Sequence, residues 1–503
     1  MAHRSEFPPI CVALGCAESE KLETLAGAAC DAGEQFLELR LDMLDQPERG
    51  IAVIRGLQGR YPDLYLIATC RRRQNGGQFR GGAADQWRIL EAAVEAGARA
   101  VDIEIETAAA DPDRVEAMRK RSRVIVSYHN FQSTPPLAPI LRRLEAAPAD
   151  ISKLVTTARR PTDNLRILEL AGSRHRRPLV VLAMGEAGSP TRLLSLARHC
   201  PFTYASFDSS EPTAPGQISS RSARRQYRVE RQGPETQVYG VIACPVAHSI
   251  SPAVHNRAFQ ARRVDAVYLP FLVEPRLLGD FFTLAAGLPV AGFSVTIPHK
   301  QRVIRHLDSV DPQARRIGAV NTVYRRQGKL HGTNTDVAGV TVPLEKRLKL
   351  KNARILVAGN GGAARAAVFA LAGRGARVIL TGRNLSRVRA LARVCGAGVL
   401  SREQAEAGQF DALVHATSAG MRPNTAESFF PDRIPAEVVF DMVYNPLETL
   451  LLKKARAQGK KVIPGLEMFL EQAAAQFEIW TGEPAPRPAM ETAAREALAS
   501  HAA

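Results

Sequence analysis

Up to Asp208 eight short β-rich runs alternate with helical stretches. The runs are ICVALGC (10–16), FLELRLD (36–42), YLIATCR (65–71) and AVDIEI (100–105), then RVIVSYH (123–129), ISKLVTT (151–157), PLVVLAM (178–184) and FTYASFD (202–208). Stretches with one apolar face, such as WRILEAAVEAGA, separate them. Eight strand–helix units are the number that closes a parallel sheet into a (β/α)8 TIM barrel, whose chemistry sits at the C-terminal strand ends. Those ends carry Glu38, Arg40, Arg71, His129 and Lys153, with Arg192 just after the seventh run.

Lys153 stands among Ile151, Leu154 and Val155 in a run with no other charge. Two readings are open. The lysine snorkels from the barrel rim, or it is a desolvated amine of lowered pKa, ready to form a Schiff base with a ketone. In the second case His129, one strand earlier, is the proton carrier.

The segments SYHNFQSTP, ADISKLVTT, GSPTR and TAPGQ resemble the type I 3-dehydroquinate dehydratases over residues 10–217. The resemblance implies an imine between Lys153 and the C3 ketone of 3-dehydroquinate. That imine acidifies the C2 proton, His129 acts as general acid and base, and water leaves from C1. It also implies that Arg192 pairs with the substrate carboxylate, while Arg40, Arg71, Glu38, Thr213 and Gln217 hold the hydroxyls and the carboxylate; bidentate arginine suits a carboxylate. One position departs from the pattern. The family carries R-x-x-x-E-G-G after the third strand, and this chain has Arg71-Arg-Arg-Gln-Asn75-Gly-Gly. An amide can orient an imidazole but cannot stabilise imidazolium by charge, so a slower or pH-shifted dehydratase is expected, with Glu104 as a candidate compensating carboxylate.

The second half opens with VYGVIACPVAHSISPAVHNRAF, a strand, a serine-bearing loop and a helix. Alone, Ser249 and Ser251 read as a helix cap. FSVTIPHK (293–300), GAVNT (318–322) and GTNTDVAG (332–339) each place polar residues just after an apolar strand, where an open α/β sheet forms its ligand crevice. Residues 353–365, ARILVAGNGGAAR, run from a strand through Gly359-x-Gly361-x-x-Ala364 into an Ala-rich helix, the context a dinucleotide fingerprint needs. The next strand ends in Arg383, with Arg387 one turn on and no carboxylate, which favours the 2′-phosphate of NADP.

With HATSAGM (415–421), DMVYNPLETLLL (441–452) and GLEMFLEQAAAQFEIWTG (465–482), this ordered set resembles shikimate dehydrogenase over residues 238–482. In the last segment Leu466, Phe469, Ala473, Phe477 and Trp480 recur at helical spacing, a core pattern. The resemblance implies hydride transfer from NADPH to C3 of 3-dehydroshikimate, with Lys300 and Asp336 as the catalytic pair. Ser249, Ser251 and Thr296, with Asn321, Tyr444 and Gln472, would bind the carboxylate and ring hydroxyls; the presence of Ser251 and Thr296 favours shikimate over quinate. The cofactor would rest on Gly359, Asn360, Gly361, Gly362, Ala363 and Ala364, on Arg383, Asn384 and Arg387, and on Thr417, Met421 and Gly465.

The expected organisation is a barrel over 1–220, a linker over 221–237 and a substrate lobe over 238–340. Helices of 466–503 would complete that lobe, and a Rossmann NADP lobe would span 341–465. The linker sequence, YRVERQGPETQVYGVI, resembles the joint of plant-type dehydratase–dehydrogenase fusions. Of the 503 residues 45% are hydrophobic and 23% charged, enough to bury large cores. A formal charge of +17 would suit nucleic acid, but the arginines are scattered rather than gathered, so anionic small molecules are the expected partners. No apolar run reaches the roughly 18 residues of a membrane span. Seven cysteines without a C-x-x-C pair suggest neither a disulfide framework nor zinc, and MAHRSEFPPI has no signal-like apolar core, so a cytoplasmic enzyme is expected. Two alternatives compete with the bifunctional enzyme: a shikimate or quinate dehydrogenase with a weakened barrel as scaffold, and a non-enzymatic metabolite-sensing module.

Overall fold

Eight parallel strands build the first half: β1 (Ile10–Leu14), β2 (Phe36–Arg40), β3 (Tyr65–Thr69), β4 (Ala100–Glu104), β5 (Arg123–His129), β6 (Ile151–Thr157), β7 (Leu179–Met184) and β8 (Thr203–Ala205). They neighbour one another in the order β7-β6-β5-β4-β3-β2-β1-β8, so the first strand pairs with both the second and the eighth. The structure is a computed structural model and describes residues 7–208, 212–288 and 290–500. Every residue of β1, β2, β3, β4 and β6 is buried, as expected of strands covered on both faces.

Strand side chains alternate between faces, and that parity selects the active-site residues. Phe36, Tyr65, Ile125, Ile151, Val155, Leu182, Phe202 and Tyr204 belong to one cluster inside the barrel, whereas Leu37, Leu66, Val126 and Leu154 belong to the core beneath the helices. Glu38 and Arg40, Asp102 and Glu104, Ser127 and His129, and Lys153 all share the inward parity.

Beyond β8 the segment expected as a linker is partly packed. Ser222–Gln226 and Val229–Arg231 form short helical turns with Ala223, Tyr227 and Val229 buried. Arg224 Nη1 donates to both carboxylate oxygens of Glu34, at 2.6 and 2.7 Å.

The described residues form two compact units. One holds the chain up to Thr236 with Phe271–Val273 and Gly279–Leu288; the other holds the remainder. The second half of the chain contains a mixed sheet of β9 (Gln237–Ala243), β10 (Ala266–Leu272), β11 (Val290–Val295), β12 (Ser309–Val310), β13 (Thr322–Arg326) and β14 (Lys329–Thr333), ordered β10-β9-β11-β13-β14-β12. A fully parallel sheet follows: β15 (Arg354–Ala358), β16 (Arg377–Thr381), β17 (Gly398–Val399), β18 (Phe410–His415), β19 (Ala436–Asp441) and β20 (Lys461–Ile463). Its order, β17-β16-β15-β18-β19-β20, reverses at β15, where a doubly wound fold opens its ligand crevice. The helix Gly465–Thr481 returns to the mixed sheet, where Trp480 Nε1 donates to Val323 O at 3.0 Å. Leu466, Phe469, Ala473 and Phe477 are buried along it and Trp480 is half-buried.

All seven cysteines are unpaired, but only Cys11, Cys70 and Cys200 are buried and only Cys11 lies within a strand. No helix among the described residues is long and apolar enough to cross a membrane.

Candidate active sites

A cavity of about 140 Å³ opens at the C-terminal end of the barrel strands. Glu38, Arg40, Arg71, His129, Lys153, Arg192, Thr213 and Gln217 all line it. Lys153 is 4% exposed, so it does not snorkel to the rim. Its Nζ donates to Asp102 Oδ2 at 2.8 Å and meets the Tyr204 hydroxyl at 2.9 Å, with Glu38 Oε1 at 3.5 Å. The Thr213–Gln217 turn closes over this mouth: Gly185 N donates to Pro215 O at 3.0 Å. Gly216 holds a φ of +75°, and a Cβ there would come within 2.3 Å of Gly185 O, so the turn requires glycine.

Counting charges separates the roles of the cations. Arg40 is bound bidentately by the buried Asp42, at 2.9 and 2.8 Å. Asp102 accepts from Arg71 Nη2 at 3.0 Å, from Ser127 Oγ at 2.6 Å and from Lys153. Burial alone would raise the Asp102 pKa, but Lys153 and then Arg71 hold it far below the usual carboxylate range. Arg192 remains: it is 2% exposed, has no carboxylate within 4 Å among the described residues, and its Nε is buried without a hydrogen-bond partner. Burial pulls its pKa down to about 10. A buried cation without a counter-charge is costly, and an anionic ligand in the cavity removes that cost.

His129 ends β5 half-buried, its ring stacked on Phe131 at 6.0 Å and 19°. Burial, then Arg71 and Lys153, push its pKa well below 6.5. The carboxylate suggested as compensation is engaged elsewhere. Glu104 accepts from Arg72 N at 2.6 Å, from Gln86 Nε2 at 2.5 Å and from Thr107 Oγ1 at 3.4 Å, because the turn after β3 and the Ala83–Glu95 helix converge on it. Asn75 Nδ2 instead donates to Glu106 Oε2 at 2.9 Å, and Asn75 Oδ1 is buried without a partner.

In the second unit a cleft of about 600 Å³ gathers Ser249, Ser251, Thr296, Lys300, Asn321, Asp336, Tyr444 and Gln472. Gly361, Gly362, Ala363 and Gly465 line its other side. Lys300 Nζ lies 2.5 Å from Asp336 Oδ2, and Asn321 Nδ2 donates to Asp336 Oδ1 at 2.7 Å. Asn321 Oδ1 in turn accepts from Thr335 N at 2.8 Å, so a ladder of amides fixes the carboxylate. Ser249 and Ser251 are not a simple cap. Among the described residues Ser249 Oγ accepts from Ser251 N (3.3 Å), the N-cap position is Ile250, and both serines line the cleft. Tyr444 is partly buried, which pushes its phenol up to about 12 and keeps it a donor.

The glycine-rich loop follows β15. Gly359 has a φ of +131°, and a Cβ would meet Ala416 O at 2.7 Å, whereas a Cβ at Gly361 would meet nothing within 4 Å. Open space beside Gly361, at the start of the Gly362–Gly373 helix where Ala363 and Ala364 lie, suits a pyrophosphate on unpaired amides. Arg383 and Arg387 are exposed and form no ion pair among the described residues, and the Asn384 side chain between them accepts from Arg387 N at 3.1 Å. These residues therefore fit a phosphate-bearing dinucleotide. Thr417 sits beside the loop, but its hydroxyl bonds His415 Nε2 at 2.5 Å; His415 Nδ1 meets Asp441 Oδ1 at 2.8 Å. Met421 is 40% exposed.

Comparison with known proteins agrees with both geometries. The type I 3-dehydroquinase model matches residues 10–234, the shikimate dehydrogenase substrate binding domain residues 241–323, and the shikimate 5′-dehydrogenase C-terminal domain residues 465–495. A bifunctional 3-dehydroquinate dehydratase/shikimate dehydrogenase of Arabidopsis thaliana, named as chloroplastic, is 35% identical over 505 residues, covering 95% of this chain and 83% of that one. The chain belongs to this bifunctional dehydratase/dehydrogenase family. A shikimate dehydrogenase (NADP(+)) of Oleidesulfovibrio alaskensis is 42% identical over 52% of this chain and 96% of its own. A crystal structure of shikimate dehydrogenase in complex with NADP+ superposes with a TM-score of 0.51, at 36% identity over 53% of this chain and 97% of that chain. A chorismate mutase/shikimate 5-dehydrogenase fusion from Clostridium acetobutylicum gives 0.50 at 31% identity, over 54% of this chain and all of its own.

For this family member, sequence reasoning passed over Asp102 and Tyr204, which touch Lys153, and Ser294 and Gln476, which line the reductase cleft. Strand parity was the available signal for Asp102 and Tyr204, since each lies an even number of residues from an inward-facing neighbour. Gln476 lies four residues beyond Gln472 on one helix face.

Proposed function

We propose that the protein dehydrates 3-dehydroquinate to 3-dehydroshikimate through an imine at Lys153, then reduces that product to shikimate with NADPH. The observation that carries this reading is that one cavity holds both Lys153, a buried amine, and Arg192, a buried cation without a counter-charge among the described residues. In the dehydratase, Arg192 binds the substrate carboxylate, and Glu38, Arg40, Arg71, Thr213 and Gln217 hold the hydroxyls. His129 takes the C2 proton and returns it toward the C1 hydroxyl, which leaves as water. In the reductase, NADPH supplies a hydride to C3. Lys300, oriented by Asp336, donates the proton to the C3 oxygen; Ser249, Ser251, Thr296, Asn321, Tyr444 and Gln472 orient the ring. The cofactor rests on Gly359–Ala364, Arg383, Asn384, Arg387, Thr417, Met421 and Gly465. A coupled assay from 3-dehydroquinate to shikimate tests both halves; accumulation of 3-dehydroshikimate with NADPH present would remove the second.

Domain limits of 1–220, 221–237, 238–340 with 466–503, and 341–465 accompany this reading. So does cytoplasmic residence, supported by seven unpaired cysteines. Small anionic metabolites, and no nucleic acid, are the proposed partners.

Arg383 carries the cofactor preference. Arg383→Ala is expected to raise the KM for NADP about 10- to 100-fold, the range of one charge-assisted phosphate contact. The KM for NAD should stay within twofold; equal effects on both would detach Arg383 from the 2′-phosphate.

Asn75 bears on the weakened-barrel alternative. His129 must be unprotonated to accept the C2 proton. Because its pKa is lowered, the acid limb of dehydratase kcat is expected below pH 6.5. A carboxylate at position 75 alone would face Glu106, so the informative variant is Asn75→Glu with Glu106→Gln. Asn75 precedes Gly76, which abuts Phe131, the ring stacked on His129. The new carboxylate favours imidazolium, so the acid limb should rise by about one pH unit and turnover at neutral pH should increase. An unmoved pH profile of kcat would show that position 75 does not govern His129.

A further inference from the structure

The phenol of Tyr204 takes part in none of the steps above. It lies two residues beyond Phe202 on β8, so both rings point into the barrel, packed edge to face at 5.6 Å and 69°. Its hydroxyl lies 2.9 Å from Lys153 Nζ, and its ring centre 4.1 Å from the same nitrogen. Tyr204 is 4% exposed and lines the cavity together with His129 and Arg192. Phenylalanine would fill the space equally well. A buried hydroxyl needs a partner, and here that partner is the amine on which the chemistry turns.

We propose that Tyr204 is a catalytic residue of the dehydratase, relaying the proton that must move between nitrogen and oxygen as the Lys153 imine forms and is hydrolysed. The proposal rests on the Schiff-base reading above. Neutral His129, which lines the same cavity, first takes a proton from the Lys153 ammonium; attack of the resulting neutral amine on C3 then makes the N–C bond and breaks the carbonyl π bond. An ammonium and an alkoxide then share one carbon. A proton must pass from nitrogen to oxygen, and direct transfer would run through a strained four-membered ring. Tyr204 bridges the two atoms: its oxygen takes the ammonium proton while its own O–H proton goes to the alkoxide. A neutral carbinolamine results and the phenol is regenerated. Protonated His129 then supplies the proton with which the carbinolamine hydroxyl leaves as water, and the nitrogen lone pair becomes the C=N bond. That step leaves His129 neutral, as the following C2 abstraction requires. Hydrolysis of the product imine runs the same relay backwards.

The surroundings favour a relay over a simple acid. Burial first, and then Glu38, raise the phenol pKa well above 10, so Tyr204 does not ionise at working pH. A relay gives one proton while receiving another and needs no net ionisation. The second group touching Nζ, Asp102, is held as a carboxylate by Lys153 and Arg71 and has no proton to give.

The test compares Tyr204→Phe with the unmutated protein. Each is mixed with 3-dehydroshikimate, quenched with borohydride at intervals, and scored for added mass at Lys153. Tyr204→Phe is expected to form the adduct about 10²-fold more slowly, the scale of one proton-transfer group, while reaching the same final extent. Dehydratase kcat should fall with it, KM should hold within threefold, and shikimate oxidation by the same preparation should be unchanged. An adduct rate equal to that of the unmutated protein overturns the proposal. So does a variant whose final extent drops and whose KM rises, which would mark a packing role. A measurement without any variant is the solvent isotope effect: adduct formation should slow in D2O, and identical rates in the two solvents overturn the relay. Failure of the unmutated protein to form any adduct would instead remove the Schiff-base reading beneath it.

Discussion

Lys153→Met is expected to lower dehydratase kcat on the order of 10⁵-fold, while shikimate oxidation by the same protein stays within twofold. The size follows from what is lost. Covalent catalysis divides one difficult elimination into easier steps, and removal of an enzymic nucleophile takes away most of the rate enhancement at once. Methionine retains most of the buried volume, so the barrel cluster around Ile151, Val155 and Tyr204 keeps its packing. Asp102 would still be paired with Arg71 and bonded by Ser127, so the substitution leaves no carboxylate without a partner. Both activities, measured on one preparation, check the prediction, and the borohydride adduct should vanish in parallel. Residual turnover within 100-fold of the unmutated protein would show that the elimination proceeds without an imine.

Lys300→Met is expected to lower reductase kcat about 10³-fold with dehydratase unaffected. A positioned general acid contributes in that range, and the proposed one is held in place: the amine is 2.5 Å from Asp336, whose second oxygen is fixed by Asn321. Asp336→Asn should lose a similar amount, because the carboxylate holds both the position and the charge of the lysine. Their combination should cost little more than either alone, since the two act as one unit. In the coupled assay each variant should stop at 3-dehydroshikimate. Additive losses in the double variant would show that the lysine and the carboxylate act separately.

Much of this was legible without coordinates. Lys153 and His129 stood out because charge is rare in barrel strands, and Gly359-x-Gly361-x-x-Ala364 because its glycines fall between a strand and a helix. What escaped was partnership. Lys153 meets Asp102 and Tyr204 across a separation of 51 residues in each case, and no local pattern encodes such contacts. Glu104 shows the converse: its position on β4 suggested support for His129, yet Arg72 N and Gln86 claim its oxygens. Nor does the run HATSAGM show that His415 on β18 engages the Thr417 hydroxyl and is itself backed by Asp441 on the neighbouring strand.

By itself the sequence determined the architecture and the residue types at each strand end. Strand and helix periods, turn glycines and apolar runs are local properties, each readable within a dozen residues. Only the tertiary structure decided which carboxylate neutralises which cation. That depends on closing eight strands into one ring, where side chains of equal parity from distant strands converge on a space of about 140 Å³. Arg40 with Asp42, Arg71 and Lys153 with Asp102, and Arg192 without a carboxylate among the described residues are consequences of that closure, because a buried charge must find a counter-charge in the space available.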